Sequence, residues 1–196
     1  MSGINICNVR VYGLEESMVA SGYPMRTDLP QKMCDLGEKD ILRANKLAGS
    51  PMGEGHDNFL NGVVVQFDLT APIKVWTEAQ RYHFLDFVSS ASTMHRLSKM
   101  TLDDAFDSSV DKSIIAIVKE LQEKYNTTGA KEDYLRLLMS CPVGLNLTAR
   151  MTTNYRQLKT IYRQRKNHRL PHWHDFCDWI ETLPWAKELG LTGGTK

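Results

Sequence analysis

Two widely separated stretches of two-residue alternation constrain this chain more than any other feature. In the first, Val63, Val65, Phe67 and Leu69 fall on one face while Val64, Gln66 and Asp68 fall on the other. In the second, Leu145, Leu147, Ala149 and Met151 alternate with Asn146, Thr148, Arg150 and Thr152. Side chains of a strand point alternately to its two faces, so each stretch reads as a half-buried strand. Each also runs into a helix signal. Thr70 is a capping residue and Pro72 suits a first helical turn, where its missing N–H costs nothing, which predicts a helix from Pro72 to about Val88. Asn154 is placed to cap a helix running towards Lys166.

The rest of the chain supplies further elements. Ile4 to Val11 carries β-branched residues at strand spacing and is closed by Gly13, and Leu14 to Ala20 has a short helical pattern that Gly22 and Pro24 end. Residues 26–31 read as loop, and Asp35 to Leu47 resumes helical spacing. The turn-forming run from Gly49 to Gly55 brings the chain across the surface to His56. Leu102 to Ser109 is acidic and polar, which predicts an exposed connection or a short helix. Ser109 to Tyr125 is amphipathic, with Val110, Ile114, Ile117, Val118 and Leu121 as an apolar stripe for core packing, and NTTG ends it at Gly129. Glu132 to Met139 makes another short helix. Pro171 opens a final one whose Phe176, Trp179 and Ile180 face inward.

Net charge is +1, so no global field draws the protein to nucleic acid or membrane, and electrostatic partners must be sought in local clusters. The four cysteines, Cys7, Cys34, Cys141 and Cys177, include no CxxC pair, which argues against a zinc ribbon or a disulfide framework. No basic start leads into a long apolar run, and no stretch approaches eighteen uninterrupted apolar residues. The expectation is a cytoplasmic protein with no membrane partner.

One cluster stands out. No acidic residue lies between Asn146 and His174, while Arg150, Arg156, Lys159, Arg163, Arg165, Lys166 and Arg169 all do. Arg156, Lys159 and Arg163 recur at spacings of three and four, so one helix face would present three cations, suited to phosphate oxygens or simply solvated. His168, His172, His174 and Cys177 are close in sequence, but their spacing fits no familiar tetrahedral pattern, and no metal site is expected. His56, after Gly-Glu-Gly, reads as an exposed loop residue or the lining of a site. Arg81 and His83 end the expected helix, and Ser89, Ser90, Ser92 and Thr93 crowd the next turn. A serine nucleophile needs a base within hydrogen-bond reach, and sequence places neither His83 nor His95 there.

In order, these pieces resemble the flavin-dependent thymidylate synthases, over residues 4–182. Gly55-His56 matches the family's glycine-histidine turn, Leu60-Asn61-Gly62 sits where its Leu-Glu-His element would, and Val63 to Leu69 is the strand that follows. Glu78-Ala79-Gln80-Arg81-Tyr82-His83 falls on the Gln-x-x-Arg-His-Arg signature, and Ser89 to Arg96 on the serine-rich segment. Pro142, the second strand, Asn154 and Arg163-Gln164-Arg165 repeat the order of the family's later elements. The sequence departs from the pattern at Glu78, where the family has glutamine, and at Tyr82-His83, where it has His-Arg. Ala91 stands where a nucleotide-binding serine would, flanked by Ser90 and Ser92, and Pro171 to Asp175 lacks the arginine of the family's Gln-x-Glu-x-Arg segment.

The resemblance implies an α/β single domain over residues 1–190, with 191–196 as a disordered tail, assembled as a homo-oligomer, by family precedent a tetramer. It implies contact with FAD through His56, Arg81, His83 and Asn154. It implies contact with a pyrimidine nucleotide through Glu78, Ser90, Ser92, Arg96, Arg156, Arg163 and Arg165. NADPH and a folate enter only if the family's one-carbon transfer is retained, and no catalytic residue is assigned. The alternative is a non-enzymatic binding module on the same fold, sequestering nucleotides or acting on a protein or nucleic-acid partner.

Overall fold

A computed structural model describes residues 3–27, 34–51 and 53–193. The two alternating stretches become the centre of a sheet. β1 (Asn5–Tyr12), β2 (Val64–Pro72), β3 (Asp86–Ser90) and β4 (Asn146–Asn154) form a four-stranded sheet in the order β1-β2-β4-β3, antiparallel at every pairing. The β2–β4 register sets Val65 opposite Thr153, Phe67 opposite Met151 and Leu69 opposite Ala149. All six are buried, so the expected inward face is the observed one.

That face is covered by α1 (Leu14–Ala20), α2 (Glu38–Ala48), α3 (Ile73–Ala79), α7 (Tyr155–Arg165) and α8 (His172–Glu181), which share one hydrophobic core with it. Phe67 is fully buried, with its ring centroid 4.5 Å from Trp179 and 6.0 Å from Phe176. Burying a side chain of this kind contributes about 1.5–3 kcal/mol relative to leaving it in water. A second, smaller core lies between α5 (Lys112–Thr128), α6 (Lys131–Met139) and the chain around Leu97 to Phe106. Leu147 on β4 packs against both. The expected mixed helix-and-sheet architecture is therefore observed.

Local signals placed several boundaries correctly. Gly13 precedes α1 with φ 69°, and Gly129 closes α5 with φ 61°, left-handed values that glycine adopts without steric cost. Asn154 Oδ1 accepts a hydrogen bond from Gln157 N at 2.9 Å and so caps α7.

The helix expected from Pro72 to Val88 stops at Ala79. Residues 86–90 instead form β3, because β4 offers them a free edge on which their backbone groups find partners. Thr70 is not a cap either: it lies within β2, where its hydroxyl meets that of Thr148 at 2.7 Å. The first amides of α3 are satisfied by chain from elsewhere, Ile73 N donating to Leu145 O and Lys74 N to Val143 O.

Three further expectations are revised. The segment from Leu102 is not an exposed connection. Leu102, Ala105, Phe106 and Asp107 are buried, held by a bridge between Phe106 and Leu145 and by Asp107 N donating to Gly144 O. The apolar stripe of α5 is only partly core, since Val118 is buried while Ile114 and Ile117 are exposed: the small second core covers one side of the helix. Leu191, read from sequence with the tail, is fully buried in the main core. Residues 194–196, and 28–31 of the expected loop, lie outside the described residues.

Candidate functional site

The glycine-histidine turn is built by Gly55, whose φ of 77° lies in the left-handed region. His56 is exposed, with Nε2 3.9 Å from Glu54 Oε2, and lines an open cavity of about 930 Å³ with Tyr23, Arg43, Lys46 and Phe59. The next residue, Asp57, turns the other way. It is 3% exposed, and its two carboxylate oxygens accept from Lys159 Nζ at 2.9 Å and Arg156 Nε at 3.2 Å. Lys159 also donates to Ala48 O at 2.6 Å. The turn is thereby fastened to α2 and α7 from inside.

The three-cation face on α7 does not exist as an open surface. Lys159 is 1% exposed, and Arg156 is half-buried and shared with Asp57, which leaves Arg163 on the outside. Helical phase explains why. Tyr155, Leu158, Lys159, Ile161, Tyr162 and Arg165 are all buried on the side of α7 that meets the core, and two of these positions are filled by cations.

The second of them, Arg165, organises a polar cluster. Its Nη1 donates to Glu78 Oε2 at 2.8 Å and its Nε to the Tyr82 hydroxyl at 2.6 Å. Its guanidinium carbon lies 4.5 Å from the Trp173 ring centroid and 5.3 Å from that of Tyr82, within cation–π range of both. Glu78 Oε2 also accepts from Trp173 Nε1 at 2.9 Å and stands 3.5 Å from His168 Nε2, while Lys74 pairs with Oε1 at 3.1 Å. His168 Nδ1 accepts from Leu170 N, which leaves the Nε2 proton to face Glu78. Burial pushes the Glu78 carboxyl up, but hydrogen bonds from Trp173 and Lys74, the charge of Arg165 and the facing His168 ring outweigh it. The net result is a carboxyl below its ordinary value.

Arg81, Tyr82 and His83 are not helical: they form the turn between α3 and β3, with Tyr82 inward and its two neighbours exposed. The turn ends at Phe84, a non-glycine residue at φ 61°, 64% exposed. Phe84 walls a small cleft of about 190 Å³ with Asn61, Asn154, Arg156 and Thr160.

Ser90 lies on β3 and lines a third hollow of about 440 Å³, with Trp76, Gln80, Phe87, Ala91, Thr93 and Thr148. Nothing charged lines it. Ser92 precedes the short α4 (Thr93–Arg96) without a side-chain capping bond, and Arg96 at its end is exposed.

Of the residues singled out in sequence, the fold brings Glu78 to Arg165, and Asn154 to Arg156, while His56 and Ser90 line two other hollows and Arg163 stands on the outside of α7. Sequence reasoning gave no site role to Asp57, Tyr82 or Trp173, nor to the pair of half-buried His172 Nε2 with buried Asp107 Oδ2 at 2.8 Å. His168, His172, His174 and Cys177 do not converge: His168 faces Glu78, His172 faces Asp107, His174 is exposed and Cys177 is buried. Among the described residues no group of three or more His, Cys, Asp or Glu is arranged to hold a metal ion, and no helix is long and apolar enough to cross a membrane.

Solved structures share this architecture. The flavin-dependent thymidylate synthase of Helicobacter pylori, complexed with FAD and dUMP, matches with a TM-score of 0.73 at 15% identity, over 95% of this chain and 96% of that one. A second structure of thymidylate synthase from that organism with FAD and dUMP gives 0.72 at 14%, over 93% and 96%. The UMP/dUMP methylase PolB of Streptomyces cacaoi, bound with 5-Br dUMP, gives 0.69 at 15%, over 98% and 97%. No protein-family model and no curated protein matches the sequence. At these identities the likeness establishes the fold, and this chain has the flavin-dependent thymidylate synthase fold.

Proposed function

We propose that this chain binds a pyrimidine nucleotide together with a flavin, as a homo-oligomer in the cytoplasm. The observation that carries the proposal is the end-to-end match to a protein complexed with FAD and dUMP, over 95% of this chain. The chemistry of the hollows agrees with it. The hollow at Ser90 offers hydroxyl and amide partners from Ser90, Thr148 and Gln80 beside the Trp76 and Phe87 rings, which suits a planar heterocycle with polar edges. The larger cavity at His56 combines the Tyr23 and Phe59 rings with Lys46, beside an Arg43 that pairs with Asp40, which suits a ring and a phosphate of FAD.

Of the four residues expected to touch flavin, none shares a hollow with another among the three described: His56 lines the one of about 930 Å³, Asn154 the one of about 190 Å³, and Arg81 and His83 stand on the exposed turn. A site shared between copies is therefore part of the proposal. The exposed Phe84, Phe87 and Val88 at the β3 edge give such a contact an apolar footing. Bound flavin supplies hydride chemistry, with NADPH and a folate required only if one-carbon transfer is retained. The chain's own residues bind, orient and exclude water.

One observation favours a second reading, a binding module without chemistry. Arg165 and Glu78 neutralise each other internally, so neither is available to a ligand. Absorbance of the purified protein separates the readings. Flavin bands, or saturable uptake of added FAD, support the first, whereas a colourless protein that takes up no FAD but still binds dUMP supports the second.

A further inference from the structure

Four observations converge on Arg165. It is 9% exposed, its Nε and Nη1 reach two different residues, its guanidinium carbon lies 4.5 Å from the Trp173 ring centroid, and both of its hydrogen-bond partners stand at the α3 end of the sheet. Those partners, Glu78 and Tyr82, are two of the positions at which the sequence departs from the family pattern. Trp173, whose ring centroid is 4.5 Å from the Arg165 guanidinium carbon and which donates to Glu78, lies in another, the Pro171 to Asp175 segment without its arginine. These three residues form one physical unit with Arg165. Glutamine at 78 would offer Arg165 a neutral oxygen where Glu78 offers a charge, and a charge-assisted bond is roughly twice as strong.

We infer that Arg165 is a positioning residue, which through Glu78 and Tyr82 clamps the Arg81–Phe84 turn to α7 and α8. The geometry follows the chain. Glu78 is in the last turn of α3 and Tyr82 in the loop beyond it, so one guanidinium grips the chain on both sides of the helix end. With Tyr82 held inward, Arg81 and His83 face outward. Two residues on, Phe84 takes its left-handed conformation and walls the cleft shared by Asn154 and Arg156. A positive φ at a phenylalanine persists only where its surroundings hold it. The clamp holds that turn on one side of Phe84, and Leu85, buried in the main core, holds it on the other. In a chain that binds flavin as proposed, this device sets where Arg81 and His83 meet the ligand, and that part of the inference rests on the proposed function.

Hydrogen exchange on the ligand-free protein tests the clamp. Y82F removes one hydroxyl and keeps the ring, so the protein folds. Exchange of amides from Gln80 to Asp86 should rise about tenfold, the loss of one such bond, while β2 and β4 stay protected. R165K, which cannot bridge both partners, should show the same local loosening and no rescue. An unchanged Gln80 to Asp86 segment in both variants, or an equal rise across β2 and β4, would overturn the inference. A second arm measures FAD affinity: Y82F should weaken it about fivefold or more at a temperature where the variant is fully folded. Wild-type protein that binds no FAD would remove the flavin reading and leave the exchange result to decide the clamp.

Discussion

Lys159 Nζ stands 2.9 Å from Asp57 Oδ2 with 1% of the lysine side chain exposed, and it ties the residue after His56 to the inner face of α7. A buried charge of this kind is strongly coupled to its partner, because the survivor of a deletion remains uncompensated inside the protein.

The two halves of that pair should respond unequally. K159M leaves Asp57 with Arg156, whereas D57A leaves Lys159 with only the Ala48 carbonyl and frees Arg156 as well. D57A should therefore cost roughly 3–5 kcal/mol in urea unfolding and K159M clearly less. Equal losses would show that Arg156 does not support Asp57 once Lys159 is gone, and a loss below about 1 kcal/mol for D57A would show the pair to be loosely held.

Arg163 and Arg165, two residues apart, should separate in the same way. R163A alters an exposed residue and should leave stability within about 0.5 kcal/mol. R165A strips Glu78 of its buried cation and should cost roughly 3 kcal/mol. Matched melting curves check this, and a silent R165A would dissolve the polar cluster.

Stability should fall on acidification for a reason that can be located. Both Glu78 and Asp107 have carboxyls below their ordinary values. In each case burial pushes the value up and is outweighed, at Asp107 by hydrogen bonds from Ser109 and His172. A depressed carboxyl contributes stability that is complete above its unfolded value, 4.5 for Glu78 and 3.8 for Asp107, and is lost as pH falls through the lower folded value. E78Q should flatten the acid limb of a stability-against-pH curve while lowering its neutral plateau. A parallel shift with an unchanged limb would place the acid sensitivity elsewhere.

Burial pushes the Cys177 thiol up to about 11, so at neutral pH it is a thiol and not a thiolate. Alkylation followed by mass spectrometry should label exposed Cys7 and Cys34 first and Cys177 only on unfolding. Early labelling of Cys177 would mean that the packing of α7 against α8 opens readily.

What could be read from sequence was local. β2 and β4 announced themselves by alternation, α7 by its Asn154 cap, and α5 by the glycine that ends it. The end of α3 was not legible, because residues 86–90 become a strand only where β4 provides an edge far along the chain. The Asp57–Lys159 and Glu78–Arg165 pairs join residues remote in sequence, so spacing alone could not find them. Helical phase held a partial signal. Lys159 and Arg165 fall on the same side of α7 as Leu158 and Ile161, where a cation must be buried and so needs a partner. The resemblance placed the fold correctly, while the side chains it assigned to ligands were in part already committed to each other.

Thermal melting of the purified protein with dUMP, without and with added FAD, tests the central claim most directly. A ligand at a hundred times its dissociation constant adds about 2.7 kcal/mol to the stability of the folded state. For a domain of this size that is a rise of roughly 5–10 °C. Pyrimidine-nucleotide binding on this fold predicts such a rise with dUMP, enlarged by FAD. No shift with dUMP under either condition, at concentrations up to the millimolar range, would contradict it.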